Sequence, residues 1–319
     1  MIQIITIAFN TFIEVIRQPI YLIILGCSLA LILLSPYFTM FAMLENNKMV
    51  KDMGLATILL SGLFLSAFSA SNVIYQEVEN KTILTIITKP VSRVSFIFGK
   101  YLGLLIALFI ANYILTLTLV QVVRTEITEA TYSQSDYPVF LGYFLSIILT
   151  LILAAFSNFF NEKSYTSSAI IFAIPIFSLA FIGLCLINNK WELKPVFQNL
   201  DFSLIVASFL VFGATSILTA IATAASTRLS PVPNIVFCCI IFLLGLFSDY
   251  IFGRHAQLSH TSSFFYSIIP NLQIYWMIDA VLENKHIPWD YVVYVLGYTF
   301  LFVLAILSFA VALFQEKET

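Results

Sequence analysis

Charge is what this 319-residue chain has least of: Asp, Glu, Lys and Arg make up 10% of it, against 60% hydrophobic residues, whereas soluble domains carry roughly a quarter charged and about half apolar. Such a chain cannot cover itself with a water-facing surface and reads as an integral membrane protein. A net charge of −2 excludes the basic footprint of a nucleic-acid binder. The few cysteines, Cys27, Cys185, Cys238 and Cys239, all fall in apolar runs, where they read as small hydrophobes rather than disulfides or metal ligands. His255, His260 and His286 are confined to one late polar segment and are poorly spaced for a metal, so no cofactor is expected. A G-x-x-x-x-G-K-[ST] phosphate loop is also lacking: Gly99-Lys100 is followed by Tyr101 and position 94 is Val.

What is present is a series of long apolar runs. A hydrocarbon core about 30 Å thick needs about 20 apolar residues per helix. Eight runs qualify: Ile20 to Leu44, Leu55 to Tyr75, Phe96 to Val123, Val139 to Phe159, Ser167 to Ile187, Phe202 to Ala225, Val232 to Phe252 and Tyr291 to Phe314. The seventh is the shortest, strictly apolar only over Ile235 to Leu246. They are continuous rather than alternating, which excludes a barrel and predicts an all-α polytopic fold, one membrane domain over residues 1–319. Their cores hold Ser, Thr, Asn112 and Gln121 but essentially no ionisable group. Proton relays and ion-coupled transporters need such groups at membrane depth, and an intramembrane hydrolase needs a nucleophile with a base or a metal. Energy for any transport must then come from another chain.

Ahead of the first run, Gln3, Thr6, Asn10, Glu14 and Arg17 draw one polar stripe along an otherwise apolar helix, the pattern of a helix lying in the membrane interface; this start is not expected to be a cleaved signal peptide. Pro19 lets the chain turn into the first span. A cytoplasmic N-terminus puts Arg17, Lys81, Lys89, Arg93, Lys100, Lys163, Arg228 and Lys317 inside, a small excess in the direction of the positive-inside rule, and leaves both termini cytoplasmic. The largest outer segment, 253–290, contains "PNLQIYWMIDAVLENKHIPW", where Leu272, Tyr275, Trp276 and Ala280 share a helical face and predict a short interfacial helix. Met40, Met43, Met49 and Met53 flank the first span's outer end; thioethers can hold Cu(I), and methionine is equally a flexible filler at helix ends.

The most water-adapted stretch is "EVENKTILTIITKPVSRVSFIFGK", Glu77 to Lys100. Lys81, Thr85 and Lys89 lie four apart opposite Ile83, Leu84, Ile86 and Ile87, a short amphipathic helix of poor intrinsic propensity. Pro90 ends it. Ser92 is placed to cap the next helix, with Val91 and Phe96 as a hydrophobic staple. Arg93 and Lys100 share a face and can snorkel to headgroups, and Gly99 with Gly103 forms a G-x-x-x-G that permits close helix packing.

Extended to "EVENKTILTIITKPVSRVSFIFGKYLG", this block resembles the signature of ABC transporter type-2 permeases: an acidic E-x-E, a Thr, a K-P-x-S-R corner and a G-K opening a span. Glu77, Glu79, Thr82, Lys89, Pro90, Ser92, Arg93, Gly99 and Lys100 match in order and spacing, while Lys81 stands where many members have Gly. "IRQP" is similar to the family's elbow helix, and "ATAASTRLSPVPN" and the "LFQEKE" end match later segments. The subgroup it resembles is grouped with multicopper-enzyme maturation systems. Eight spans, against the usual six, depart from the family around spans four to six. The resemblance implies a multi-pass permease subunit of the cytoplasmic (inner) membrane. It would pair with itself or a similar subunit, with a cytoplasmic ABC ATPase seated on the 76–95 coupling loop. The nine matching residues are then ATPase-coupling residues, and none is catalytic. Two other classes remain: a membrane scaffold or assembly factor recruiting a different partner, and a membrane enzyme using Asp279, Glu283 and His286.

Overall fold

The computed structural model describes residues 2–39, 46–75, 77, 92–126, 137–187, 201–255, 260–283, 285 and 287–316. Its elements are helical: α1 (Ile2–Ile16), α2 (Pro19–Thr39), α3 (Asn46–Ala70), α4 (Arg93–Glu126), α5 (Tyr137–Asn161), α6 (Tyr165–Cys185), α7 (Phe202–Ser226), α8 (Pro231–Leu246), α9 (Ser248–Ile251), α10 (His260–Ile268), α11 (Ile278–Leu282) and α12 (Trp289–Glu316), with a π-turn, Ser71–Tyr75, continuing α3. Seven of them, α2 to α7 and α12, are long and apolar enough to cross a bilayer. This establishes the polytopic all-α class.

The bundle is arranged around α7, the most buried of the long helices. Its sequence explains its place. Ala207, Ser208, Gly213, Ala214, Thr215, Ala220, Ala222 and Ala224 are all small and all buried, so neighbouring backbones can approach closely without a hydrophobic driving force, as membrane helices require. Helices α3, α12, α4 and α8 pack on it. Helices α5 and α6 form a hairpin that packs mainly on itself and against α4; its tight turn holds Glu162 at φ 53°. The bundle therefore has a proximal end, where α1, the start of α4 and the end of α12 meet (Phe96 stacks on Phe314 at 5.7 Å), and a distal end, where Lys51 at the start of α3 donates to Asp201 Oδ2 at 2.6 Å.

The seventh apolar run departs from expectation. Helix α8 has 16 residues, about 24 Å long, short of a core of about 30 Å. The chain then folds back instead of continuing. Leu272 N donates to Gly245 O at 3.1 Å, and a side chain at Gly245 would meet Pro270 O at 2.9 Å. Tyr275, 1% exposed, lies where a Cβ on Gly213 would meet its ring at 2.8 Å, and its hydroxyl pairs with Thr299 Oγ1 at 2.5 Å. The expected single interfacial helix over this segment is therefore two pieces, a 3₁₀ turn at Gln273–Tyr275 and the five-residue α11. Leu272 and Tyr275 face the protein rather than headgroups, because Gly213 and Gly245 leave room for them. Trp289 is 74% exposed, as an interfacial anchor should be.

Candidate functional site

Among the described elements helix α4 is the longest, 34 residues, about 51 Å. Its first turns need not lie in hydrocarbon, and α1 packs along them. A Cβ on Gly99 would meet Ile7 at 2.8 Å and Ile4 O at 3.2 Å; one on Gly103 would meet Ala8 O at 2.5 Å and Thr11 at 2.5 Å. The contacts advance in step, so the two helices run in the same sense with their backbones in near contact. The G-x-x-x-G thus has a partner, and it is α1. Around α1, Ala8, Thr11 and Val15 are buried on α4, Gln3, Thr6, Asn10 and Arg17 are exposed, and Ile5 and Phe9 form a third, apolar exposed face. A helix with protein, polar and apolar faces suits the boundary between headgroups and acyl chains.

At this junction the charges meet. Lys100, 4% exposed, donates to Glu77 Oε1 at 2.7 Å and to Glu14 Oε2 at 3.4 Å, and its ammonium stands 5.7 Å from the Phe96 ring centre. Snorkelling was the expectation for both Arg93 and Lys100; Arg93 is exposed, but Lys100 turns inward. The reason is that Glu77, just past the end of the π-turn, stands within ion-pair distance at 2.7 Å. Partial burial pushes the Glu14 carboxyl above its ordinary range, with Lys100 pulling it down and Glu77 pushing it up. One cation therefore ties three segments: the N-terminal helix, the exit of α3 and the entry of α4. Ser92 caps α4, its Oγ accepting from Ser95 N at 3.2 Å.

Of the nine residues singled out by the motif, the structure brings Glu77, Gly99 and Lys100 together and places Ser92 and Arg93 about two turns away along α4. Glu79, Thr82, Lys89 and Pro90, with the amphipathic helix from Lys81 to Lys89 and the staple residue Val91, lie outside the described residues. So do Met40, Met43 and His286. Met49 is exposed and Met53 half-buried. Asp279 is exposed, and Glu283 pairs with Lys285, whose hydrogen bond and charge lower the Glu283 carboxyl. Among the described residues no three His, Cys, Asp or Glu side chains gather as a metal site.

Sequence reasoning missed a second proximal contact. Asn234, fully buried near the start of α8, donates to Ser71 Oγ at 2.7 Å, with longer approaches to Ala67 O and Ala222 O at 3.5 Å. Ser71 opens the π-turn, and π-turns often mark functional places in helices. Asn234 sits three residues after Pro231, at the polar edge of the seventh apolar run just before its strictly apolar part; its burial was not legible. Asn234→Ala should lower stability by about 1 kcal/mol, the scale of a hydrogen bond between membrane helices, read as a lower unfolding midpoint in detergent. An unchanged midpoint would mean that the contact does not hold α8 to α3.

No curated protein matches the chain. Residues 15–178, from the end of α1 through most of α6 and just over half of the chain, match the profile described as "ABC-2 family transporter protein". The matched stretch contains the α1 exit, the Glu77–Lys100 ion pair and most of the α5–α6 hairpin, and Glu14 lies one residue before it. The chain is therefore a multi-pass membrane protein that belongs to the ABC-2 transporter family.

Proposed function

We propose that the chain is the membrane-spanning permease subunit of an ATP-binding cassette transporter of the cytoplasmic membrane. ATP hydrolysis takes place on a separate cytoplasmic subunit that docks on the loop between Glu77 and Ser92, and a second permease chain completes the assembly. Within the family, its motifs resemble permeases grouped with multicopper-enzyme maturation systems. The observation that carries the reading is the Lys100 junction. A force applied to the loop is delivered at once to α3, α4 and α1, because Glu77, Lys100 and Glu14 are ion-paired. The proximal end is then cytoplasmic, which places both the start of α1 and the end of α12 inside.

The test is co-purification with a co-expressed phosphate-loop ATPase. Glu79→Lys and Arg93→Glu, which invert charge at the loop, should each reduce ATPase recovery several-fold while the permease elutes unchanged in size. Saturable, undiminished association in both variants would reject docking at this loop. A stable partner without nucleotide-binding ability in place of the ATPase would favour the scaffold reading.

A further inference from the structure

A small cavity lies between α3, α4 and α7, with Ser61, Asn112 and Thr215 in its wall and a lining otherwise of aliphatic residues and Gly62. Ser61 and Thr215 stand near the midpoints of the spans Lys48–Tyr75 and Phe202–Ser226, a depth at which a bilayer offers no bulk water to an unpaired polar group. Helices α3 and α7 come this close because Gly62 has no side chain: a Cβ there would stand 2.3 Å from Thr215 Cγ2. Asn112 Oδ1 is buried and, among the described residues, accepts no hydrogen bond. Ser61 Oγ donates to Ile58 O at 2.8 Å and Thr215 Oγ1 to Phe212 O at 2.9 Å, each within its own helix. Their hydrogens are spent, and their lone pairs remain.

We propose that this cavity binds a single water molecule that joins α3, α4 and α7. The centre of a water-sized sphere has about 10 Å³ to occupy, equivalent to a ball about 2.7 Å across, whereas two hydrogen-bonded waters need centres about 2.8 Å apart. The space suits one. One hydrogen of the water goes to Asn112 Oδ1 and the other to one of the two hydroxyl oxygens, while the remaining hydroxyl turns its own hydrogen from its helix carbonyl to the water. That makes three bonds, the usual number for a buried water. An acyl methylene would fit the volume and leave Asn112 Oδ1 without a partner, at the cost of a buried unpaired polar group. A metal ion would keep its full charge, because no carboxylate lines the cavity, and an uncompensated charge is far costlier still. The site is separate from the Lys100 junction and stands whether or not an ATPase docks.

The experiment is hydroxyl-radical footprinting with synchrotron X-rays on the purified full-length chain in detergent, in which radicals form in place from bound water. Leu65 and Leu108, which line the cavity and are 1% and 4% exposed, should be oxidised. Asn112→Leu, close in shape to the native side chain, should lower that labelling several-fold, and adding Thr215→Val should reduce it to background, with size-exclusion elution and circular dichroism unchanged. In detergent unfolding the two substitutions should be coupled although the two side chains share no hydrogen bond. The double variant's unfolding constant should fall short of the product of the single effects by about threefold, the scale of one hydrogen bond between membrane helices. Absence of label on Leu65 and Leu108 in the unsubstituted chain, label that survives in the folded double variant, or strictly multiplicative effects would each overturn the proposal. So would an unfolding midpoint that rises with Na⁺ but not with K⁺ at constant ionic strength, which would put a cation in the cavity instead.

Discussion

Glu77→Leu should destabilise the protein by about 3 kcal/mol, the low end of what breaking a buried ion pair costs, and most of that should return when Lys100→Met is added. The asymmetry follows from burial. Lys100 is 4% exposed, so removing its 2.7 Å partner leaves an ammonium in a low-dielectric pocket with, among the described residues, Glu14 at 3.4 Å to answer it. Removing both charges takes away the Coulomb attraction and the desolvation cost together, and buried pairs replaced by apolar residues are often neutral. Glu14→Gln should do little. Its folded-state carboxyl is raised, so ionisation costs folding stability at neutral pH; that cost disappears as pH falls below the folded-state value, and the neutral amide avoids it throughout. Unfolding of the unsubstituted chain, Glu77→Leu, Lys100→Met and the double variant in detergent, as a double-mutant cycle, measures the coupling directly. If the double variant is no more stable than Glu77→Leu alone, the ion pair is not what holds the junction. On the proposed function, a double variant that folds but no longer couples transport to ATP hydrolysis would mean that the pair is required for coupling rather than for the fold.

The second large effect is expected at Gly103. A methyl group there would stand 2.5 Å from the Ala8 carbonyl oxygen. Backbone cannot swing aside as a flexible side chain does, so α1 must move off α4. Gly103→Ala should cost about 1–3 kcal/mol, the range of overpacking in a close-packed contact, and Gly99→Val with Gly103→Val should detach α1. Arg17 is exposed and follows α1 directly, so cleavage by trypsin at that residue should quicken several-fold in the double variant. Gly26→Val and Gly297→Val serve as controls, since a Cβ at either position meets nothing within 4 Å. Cleavage and stability indistinguishable from these controls would show that α1 is not held by the glycine pair.

Long continuous apolar runs made the helical class and seven of the eight spans readable, five of them to within three residues at both ends, because a bilayer demands a length that a soluble core does not. The α8 run misled because its shortness is a tertiary matter: Gly245 accepts the returning chain, and only the fold shows that Leu272 comes back to it. Periodicity found the polar stripe of α1 and the glycine pair of α4, yet could not say that they belong to one contact, since a face has no address until its neighbour is known. Lys100 is the same lesson in charge. Its position near a helix start fits snorkelling as well as pairing, and the choice was made by Glu77, 23 residues earlier. Asn234 and Ser71, 163 residues apart, are ordinary polar residues in the sequence and become a pair only by packing.

The π-turn at Ser71–Tyr75 has a kinematic meaning. It holds a residue more than an α-turn would, a unit of slack wound into the helix just before Glu77. Drawing that slack out into α register would advance everything beyond it by about 1.5 Å and swing it by about 100°, carrying the Glu77 carboxylate away from Lys100. The wound turn and the closed ion pair are therefore geometrically linked: the register of one sets the position of the other.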